Sequence, residues 1–164
     1  IRIGALITKN KPLRAAVMKF CQARLSPPLL GQIAAEASID APREYAIHSY
    51  EEYIERRNCL VDELNKIDGV YSPIPMGAFY TMVRLPVDDA DKFCEWCLSS
   101  FSWMDEHTPE GCAGETVMMA PASGFYSDSS LGKNQVRLAY VLKKEDIQRS
   151  LFILEKALEA YNSL

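Results

Sequence analysis

The 164-residue chain is predicted to be an α/β protein, its C-terminal two-thirds an α+β arrangement of helices on a small sheet. Three observations predict this. Strand-like segments near residues 78–85, 116–120 and 135–142 alternate with amphipathic helical stretches. A long helical pattern over about 41–67 leads into them. The composition, 48% hydrophobic and 24% charged, suits a globular core, and no apolar run approaches a membrane span.

In chain order, Ile1-Arg2-Ile3-Gly4-Ala5-Leu6-Ile7-Thr8 has the apolar pattern of a strand buried on both faces. It has no polar lead-in, which makes the sequence read as a piece of a longer protein. Asn10 is placed to cap a helix with Pro12 in its first turn, and Leu13, Val17, Phe20 and Cys21 recur on one face. Pro27-Pro28 breaks that helix, and a short apolar one follows over about 29–37. Asp40 and Pro42 mark the start of the long helix, whose apolar stripe is Ile47, Tyr50, Ile54, Val61 and Leu64. Glu52 and Arg56 form a favourable i,i+4 pair on it, and Asp68-Gly69 ends it.

The segment Ala78–Leu85 has the aromatic and β-branched content of a strand. Asp88 and Asp89 cap a helix that buries Phe93, Trp96, Cys97 and Phe101. A loop over about 104–114 follows, then strands at Thr116–Ala120 and Gln135–Leu142. The last helix starts near Lys143 and carries Ile147, Leu151, Leu154, Leu158 and Tyr161 on one face.

The net charge of −4 is unevenly distributed. Residues 1–35 hold Arg2, Lys9, Lys11, Arg14, Lys19 and Arg24 and no acid, while the rest carries 12 basic and 22 acidic groups. The basic stretch is short and lacks aromatic interleaving, so a solvated helix face near a phosphate or another subunit is expected rather than nucleic-acid binding. The five cysteines, at 21, 59, 94, 97 and 112, have no framework spacing, and reduced thiols in a cytoplasmic protein are expected. Cys94-Glu95-Trp96-Cys97 has the gap of a zinc or redox pair, yet no second pair follows and core packing is the expectation. No metal site, phosphate-binding glycine loop or nucleophile elbow is recognisable, and His48 and His107 lack partners for catalysis.

Two arginines stand out. Arg137 interrupts the apolar run Gln135–Val141, and its planar fork matches a carboxylate through two parallel hydrogen bonds. It could recognise a substrate carboxylate, close a structural salt bridge, or lie on an exposed edge-strand face. Arg2, followed by Gly4, could serve a phosphate or pair with a neighbouring acid.

Three segments, in this order, resemble the fold-type I aminotransferases of the aspartate aminotransferase class. Arg2-Ile3-Gly4 resembles the Arg-x-Gly that follows the cofactor lysine. Pro75-Met76-Gly77-Ala78-Phe79-Tyr80 resembles the Pro-x-Gly-Ala-Phe-Tyr opening the small domain's sheet. Ala120-Pro121-Ala122-Ser123-Gly124-Phe125-Tyr126 with Val136-Arg137-Leu138-Ala139-Tyr140 resembles the closing segments of the family. The similarity runs through nearly the whole chain.

The resemblance implies residues 1–45 as the end of a large cofactor domain and 46–164 as the small domain, joined by the helix over about 41–67. It implies pyridoxal phosphate as cofactor, amino-acid and 2-oxo-acid substrates, a homodimer, and no nucleic acid, membrane or metal as partner. Arg2 corresponds to the arginine that pairs with the cofactor phosphate, and Arg137 to the one that grips the substrate α-carboxylate. The lysine that carries the cofactor and moves the Cα proton belongs eight positions before Arg2. The chain taken alone is therefore expected to be inactive and to hold little or no cofactor. Two departures qualify the match: Ala122-Ser123 stands where many members have a glycine, and Arg24 is out of register for a second, side-chain-reading arginine. The rival readings are a lyase or decarboxylase on the same scaffold and a non-catalytic ligand-sensing domain of a regulator.

Overall fold

The first helix begins where the Asn10 side chain accepts a hydrogen bond from the Leu13 amide at 3.0 Å, supplying a partner to a donor the helix itself cannot satisfy. In the computed structural model, which describes residues 2–128 and 130–164, this helix, α1, spans Lys11–Arg24. Then come α2 (Leu29–Ile39), α3 (Arg43–Leu64), β1 (Tyr80–Arg84), α4 (Ala90–Ser99), β2 (Ala120–Pro121), a 3-10 turn at Ser123–Phe125, β3 (Gln135–Ala139) and α5 (Lys144–Tyr161). The chain divides into two compact units, Ile1–His48 and Ser49–Leu164.

The first unit has almost no interior. Among its described residues only Gly31 is buried, while Leu13, Phe20, Leu29, Leu30 and Ile33 are exposed. The expected strand at residues 1–8 is not formed: Ile1 lies outside the described residues, and Arg2–Ile7 carry no strand. The reason is that a strand exists only through a ladder to a neighbour. Among the described residues every sheet pairing falls within 71–139, and none reaches this segment. The α1 stripe, apart from half-buried Val17, and the first half of the α3 stripe (Ile47, Tyr50) are likewise exposed.

The second unit is built on three antiparallel strands in the order β1-β3-β2. Pairing sets Val83 opposite Val136 and Met82 opposite Arg137. Because strand side chains alternate, Thr81, Val83, Val136 and Tyr140 face inward and are buried, while Tyr80, Arg84, Arg137 and Ala139 face outward. Leu64 of α3, Phe93 and Cys97 of α4, and Ile147, Leu151 and Leu154 of α5 join the inward set in one core. Each such Leu or Phe contributes roughly 1.5–3 kcal/mol on burial. The Tyr161 ring closes the end of the core at 5.1 Å from Phe93 and 5.2 Å from Trp96, both edge-on. The expected helix positions hold here to within a few residues, with Asp89 rather than Asp88 capping α4 through its bond to the Lys92 amide.

The strands are shorter than their apolar runs. Ala78 has φ +60°, and the β1 ladder reaches back no further than the Phe79 carbonyl, which accepts from the Tyr140 amide at 2.9 Å. At the other end of β3 the Val141 carbonyl is taken by the Arg56 guanidinium rather than by a strand. The expected strand 116–120 survives only at Ala120–Pro121. Thr116 is instead tied to the end of α4 through the Cys97 carbonyl, and Glu115 bridges to Trp103. Pro121 lacks an amide donor and is tolerated because β2 is an edge strand.

The loop between α4 and β2 is held by charges that no local pattern announces. Arg149 of α5 donates to both oxygens of Asp105, each at 2.8 Å, and also to Glu115, with the guanidinium over the Phe152 ring. Hydrogen bonds from Arg149, and then from Trp103, hold the Asp105 carboxyl below the usual carboxylate range; Arg149 lowers Glu115 as well. Since these carboxyls titrate lower in the folded chain than unfolded, their contribution to stability is complete above about pH 4 and disappears as pH falls toward the folded values. Asp105→Asn is expected to lower the thermal midpoint by a few degrees at pH 7 and to leave it closer to wild type at pH 3, as read by circular dichroism. An equal loss at both pH values would contradict the assignment.

Candidate functional site

Arg137 sits in the middle of the central strand, on the face of the sheet that its own unit's core does not cover. It is therefore neither a buried ion-pair member nor an edge-strand residue. Among the described residues no carboxylate lies within 4 Å of its guanidinium; the arginine ion pairs are those of Arg56 and Arg149. What it has are aromatic neighbours. Its Cζ is 5.2 Å from the centroid of the Tyr80 ring and 4.7 Å from that of Phe125. At exposed sites such cation–π contacts each contribute about 0.5–1 kcal/mol, and they leave the N–H edge free.

Both rings arrive by backbone geometry. Tyr80 pairs with Ala139, two positions along from Arg137, and so lies diagonally across the ladder from it. The Tyr80 ring is itself braced edge-on by Phe79, with centroids 5.6 Å apart. Phe125 closes the 3-10 turn after β2, its amide donating to the Ala122 carbonyl at 3.0 Å. Upstream of β1, the Tyr140 hydroxyl donates to the Ala78 carbonyl at 3.0 Å and Arg57 donates to the Pro75 carbonyl. These bonds fix the turn that delivers Phe79 and Tyr80. An apolar cavity of about 490 Å³ adjoins β3, where β2 stops and the chain over 116–119 diverges; Leu60, Met119, Leu138, Leu151 and Leu154 line it, with Arg137 among its residues.

Arg2 lies in the other compact unit, exposed, and pairs with no carboxylate among the described residues. A Cβ added at Gly4 would meet nothing within 4 Å, so that glycine is not demanded by contacts with the described residues. A glycine demanded by contacts near Arg137's turn is Gly132, at φ +73°, where a Cβ would meet the Tyr126 ring at 2.6 Å and the Ala122 carbonyl oxygen at 2.9 Å. Ala122 is fully buried, and its amide donates to the Gln135 carbonyl. In the sequence Tyr80 and Phe125 stand out only as members of motif segments, and nothing local marks Gly132 or Arg149. The diagonal of a strand pair could have pointed to Tyr80 once the register was known; Phe125 depends on the path of a loop.

Residues 1–151 match the family described as aminotransferase class I and II. The chain belongs to that family. Aspartate aminotransferase of Rhizobium meliloti is 32% identical over 80 residues, 49% of this chain and 20% of that protein. The solved structure of alanine aminotransferase from Pyrococcus furiosus aligns with a TM-score of 0.68 at 24% identity, over 93% of this chain and 36% of that one. That of LysN, the α-aminoadipate aminotransferase of Thermus thermophilus, aligns with a TM-score of 0.70 at 21% identity, over 96% and 38%. The last two likenesses are of fold. The matched part of the chain thus spans about a fifth of the curated relative and little more than a third of the solved structures.

In this member of the family, Cys94 and Cys97 are core residues on the inner face of α4. Burial, with a smaller push from Asp91, raises the Cys94 thiol to about 11, and burial raises Cys97 to about 12. Only a thiolate reacts readily, so both are protected twice, by access and by ionisation. Cys112, in the 103–115 loop, is exposed. A thiol-specific alkylating reagent at pH 8 is expected to label Cys112 roughly a hundredfold or more faster than either core cysteine, as followed by peptide mass spectrometry. Comparable labelling of Cys94 in the folded protein would contradict this placement.

Proposed function

We propose that this chain is the C-terminal portion of a pyridoxal-phosphate-dependent aminotransferase that moves an amino group between an amino acid and a 2-oxo acid, with Arg137 gripping the substrate α-carboxylate. The observation that carries the reading is the state of Arg137: a permanent cation on an uncovered sheet face, flanked by two rings and joined to no acid among the described residues. A cation so placed has its hydrogen-bonding edge available to an anion. Family membership supplies the chemistry that such an anion would undergo. The relatives named above act, by name, on aspartate, alanine and α-aminoadipate, whose side chains differ and whose common anionic group is the α-carboxylate.

Two of the residues present carry the charge that a cofactor phosphate and a substrate carboxylate call for. Arg2, a second cation without a partner among the described residues, would hold the cofactor phosphate. The LysN structure contains N-(5'-phosphopyridoxyl)-L-leucine, a phosphate and an amino-acid carboxylate in one molecule. When bound, pyridoxal phosphate supplies an electron sink for the charge left at Cα. Arg137 supplies orientation: two parallel hydrogen bonds to the carboxylate fix the direction of Cα, so binding and reaction geometry come from one contact. The lysine that moves the Cα proton is expected eight positions before Arg2 in the complete protein, and the 164 residues alone are expected not to transaminate. In the same reading, residues 1–45 end the large cofactor domain and 46–164 form the small one. The exposed apolar side chains of the first unit are then covered by the remainder of the cofactor domain and by a second subunit in a cytoplasmic homodimer.

In the complete enzyme, Arg137→Leu is expected to raise KM for the amino acid by about 10- to 100-fold, the equivalent of a charge-assisted hydrogen-bond pair. Unchanged kinetics would refute the role of Arg137. In the same assay, amine transfer must depend on an added 2-oxo acid; ammonia or carbon dioxide released without any acceptor would make the protein a lyase or decarboxylase instead.

A further inference from the structure

We propose that Phe125 is a positioning residue for Arg137, and that the turn carrying it is built to hold its ring over the guanidinium; the inference rests on the carboxylate-binding reading of Arg137. Phe125 is not where burial alone would leave a phenyl ring. It is 52% exposed, outside the core, yet its centroid stands 4.7 Å from the Arg137 Cζ.

The turn around it is pinned at four points, only one of them, Ala122, on a fully buried side chain. The Ala122 amide donates to the Gln135 carbonyl at 2.9 Å, tying the turn to β3 two residues before Arg137. The Ser123 hydroxyl donates to Asp91 at 3.0 Å, tying it to the first turn of α4. The Tyr126 hydroxyl donates to the Gln135 side chain at 2.7 Å. The Tyr126 ring lies so close to Gly132 that a Cβ there would sit 2.6 Å from it, and the backbone at Gly132 is in the left-handed region. Phe125 is thus bracketed by anchors on the residues before and after it. Tyr80 reaches the same guanidinium from β1, at 5.2 Å.

An exposed arginine on a flexible stem loses rotamer freedom when it binds an anion with both N–H groups. Two rings at this distance attract the cation and restrict the stem before substrate arrives, so less freedom remains to be lost. The effect belongs to binding of the carboxylate rather than to any proton transfer, and it calls for an aromatic face rather than for bulk.

The test is a steady-state comparison of Phe125→Leu, Phe125→Tyr, Gly132→Ala and Arg137→Leu in the complete enzyme. Replacing one exposed cation–π contact corresponds to about a two- to fivefold change. Phe125→Leu is expected to raise KM for the amino acid by that factor, with the loss in KM rather than kcat. Phe125→Tyr is expected to restore the wild-type KM, because it restores the ring face. Gly132→Ala, which displaces the Tyr126 ring, is expected to shift KM in the same direction as Phe125→Leu. If Arg137→Leu raises KM but Phe125→Leu and Gly132→Ala do not, the positioning role is overturned while the carboxylate reading stands. If Arg137→Leu itself has no effect, the underlying reading fails. If Phe125→Leu lowers kcat and the thermal midpoint together and Phe125→Tyr rescues neither, the ring is a packing element and the proposal is overturned.

Discussion

The antiparallel register between β1 and β3 decides what the rest of the second unit can do. With Val83 opposite Val136, the inward set is Thr81, Val83, Val136 and Tyr140, which is what α3, α4 and α5 pack against. The same register places Met82 opposite Arg137 and Tyr80 on its diagonal, on the other face. A slip of one residue would send Arg137 into the helical core and Val136 outward, exchanging a well-packed β-branched side chain for a charge without a partner. Core formation and presentation of the cation are thus a single choice. The hydrophobic side of the sheet enforces the geometry of the polar side.

The two units show how differently local pattern translates into structure. Helix positions were readable because caps and breakers are chemical signals: Asn10, Pro12, Pro27-Pro28, Pro42 and Asp89 all act where the sequence puts them. Strand lengths were less readable because the ends are set by competitors outside the strand. Arg56 claims the Val141 carbonyl, Thr116 claims Cys97, and Ala78 turns with positive φ. The apolar opening of the chain had the composition of an interior strand, but composition cannot supply the neighbouring strand, and among the described residues none pairs with it. The stripes on α1 and on the start of α3 are in the same position: they say which face is meant for contact and nothing about the surface that meets it.

The candidate site was legible to the same extent and for the same reason. Arg137 announces itself as a charge in an apolar run, and Arg2 does so more faintly. The choice among a salt bridge, an exposed edge and an anion site needed the fold, which makes β3 central and leaves Arg137 without an acid among the described residues. Tyr80 and Phe125 were visible as residues and invisible as neighbours, since they come from 57 positions before and 12 positions before Arg137. The contrast with Arg149 is instructive. Both are arginines next to exposed aromatic rings, but Arg149 is saturated by Asp105 and Glu115 and fastens a loop. An arginine whose fork is already filled is part of the frame, whereas one whose fork is open is a receptor.

That distinction is most directly examined by a crystal structure of the complete enzyme with an unreactive amino-acid analogue bound. The account predicts both α-carboxylate oxygens at about 2.7–2.9 Å from the Arg137 guanidinium, with Tyr80 and Phe125 still beside it. A carboxylate held by another residue, with Arg137 turned to an acid of the protein itself, would contradict it.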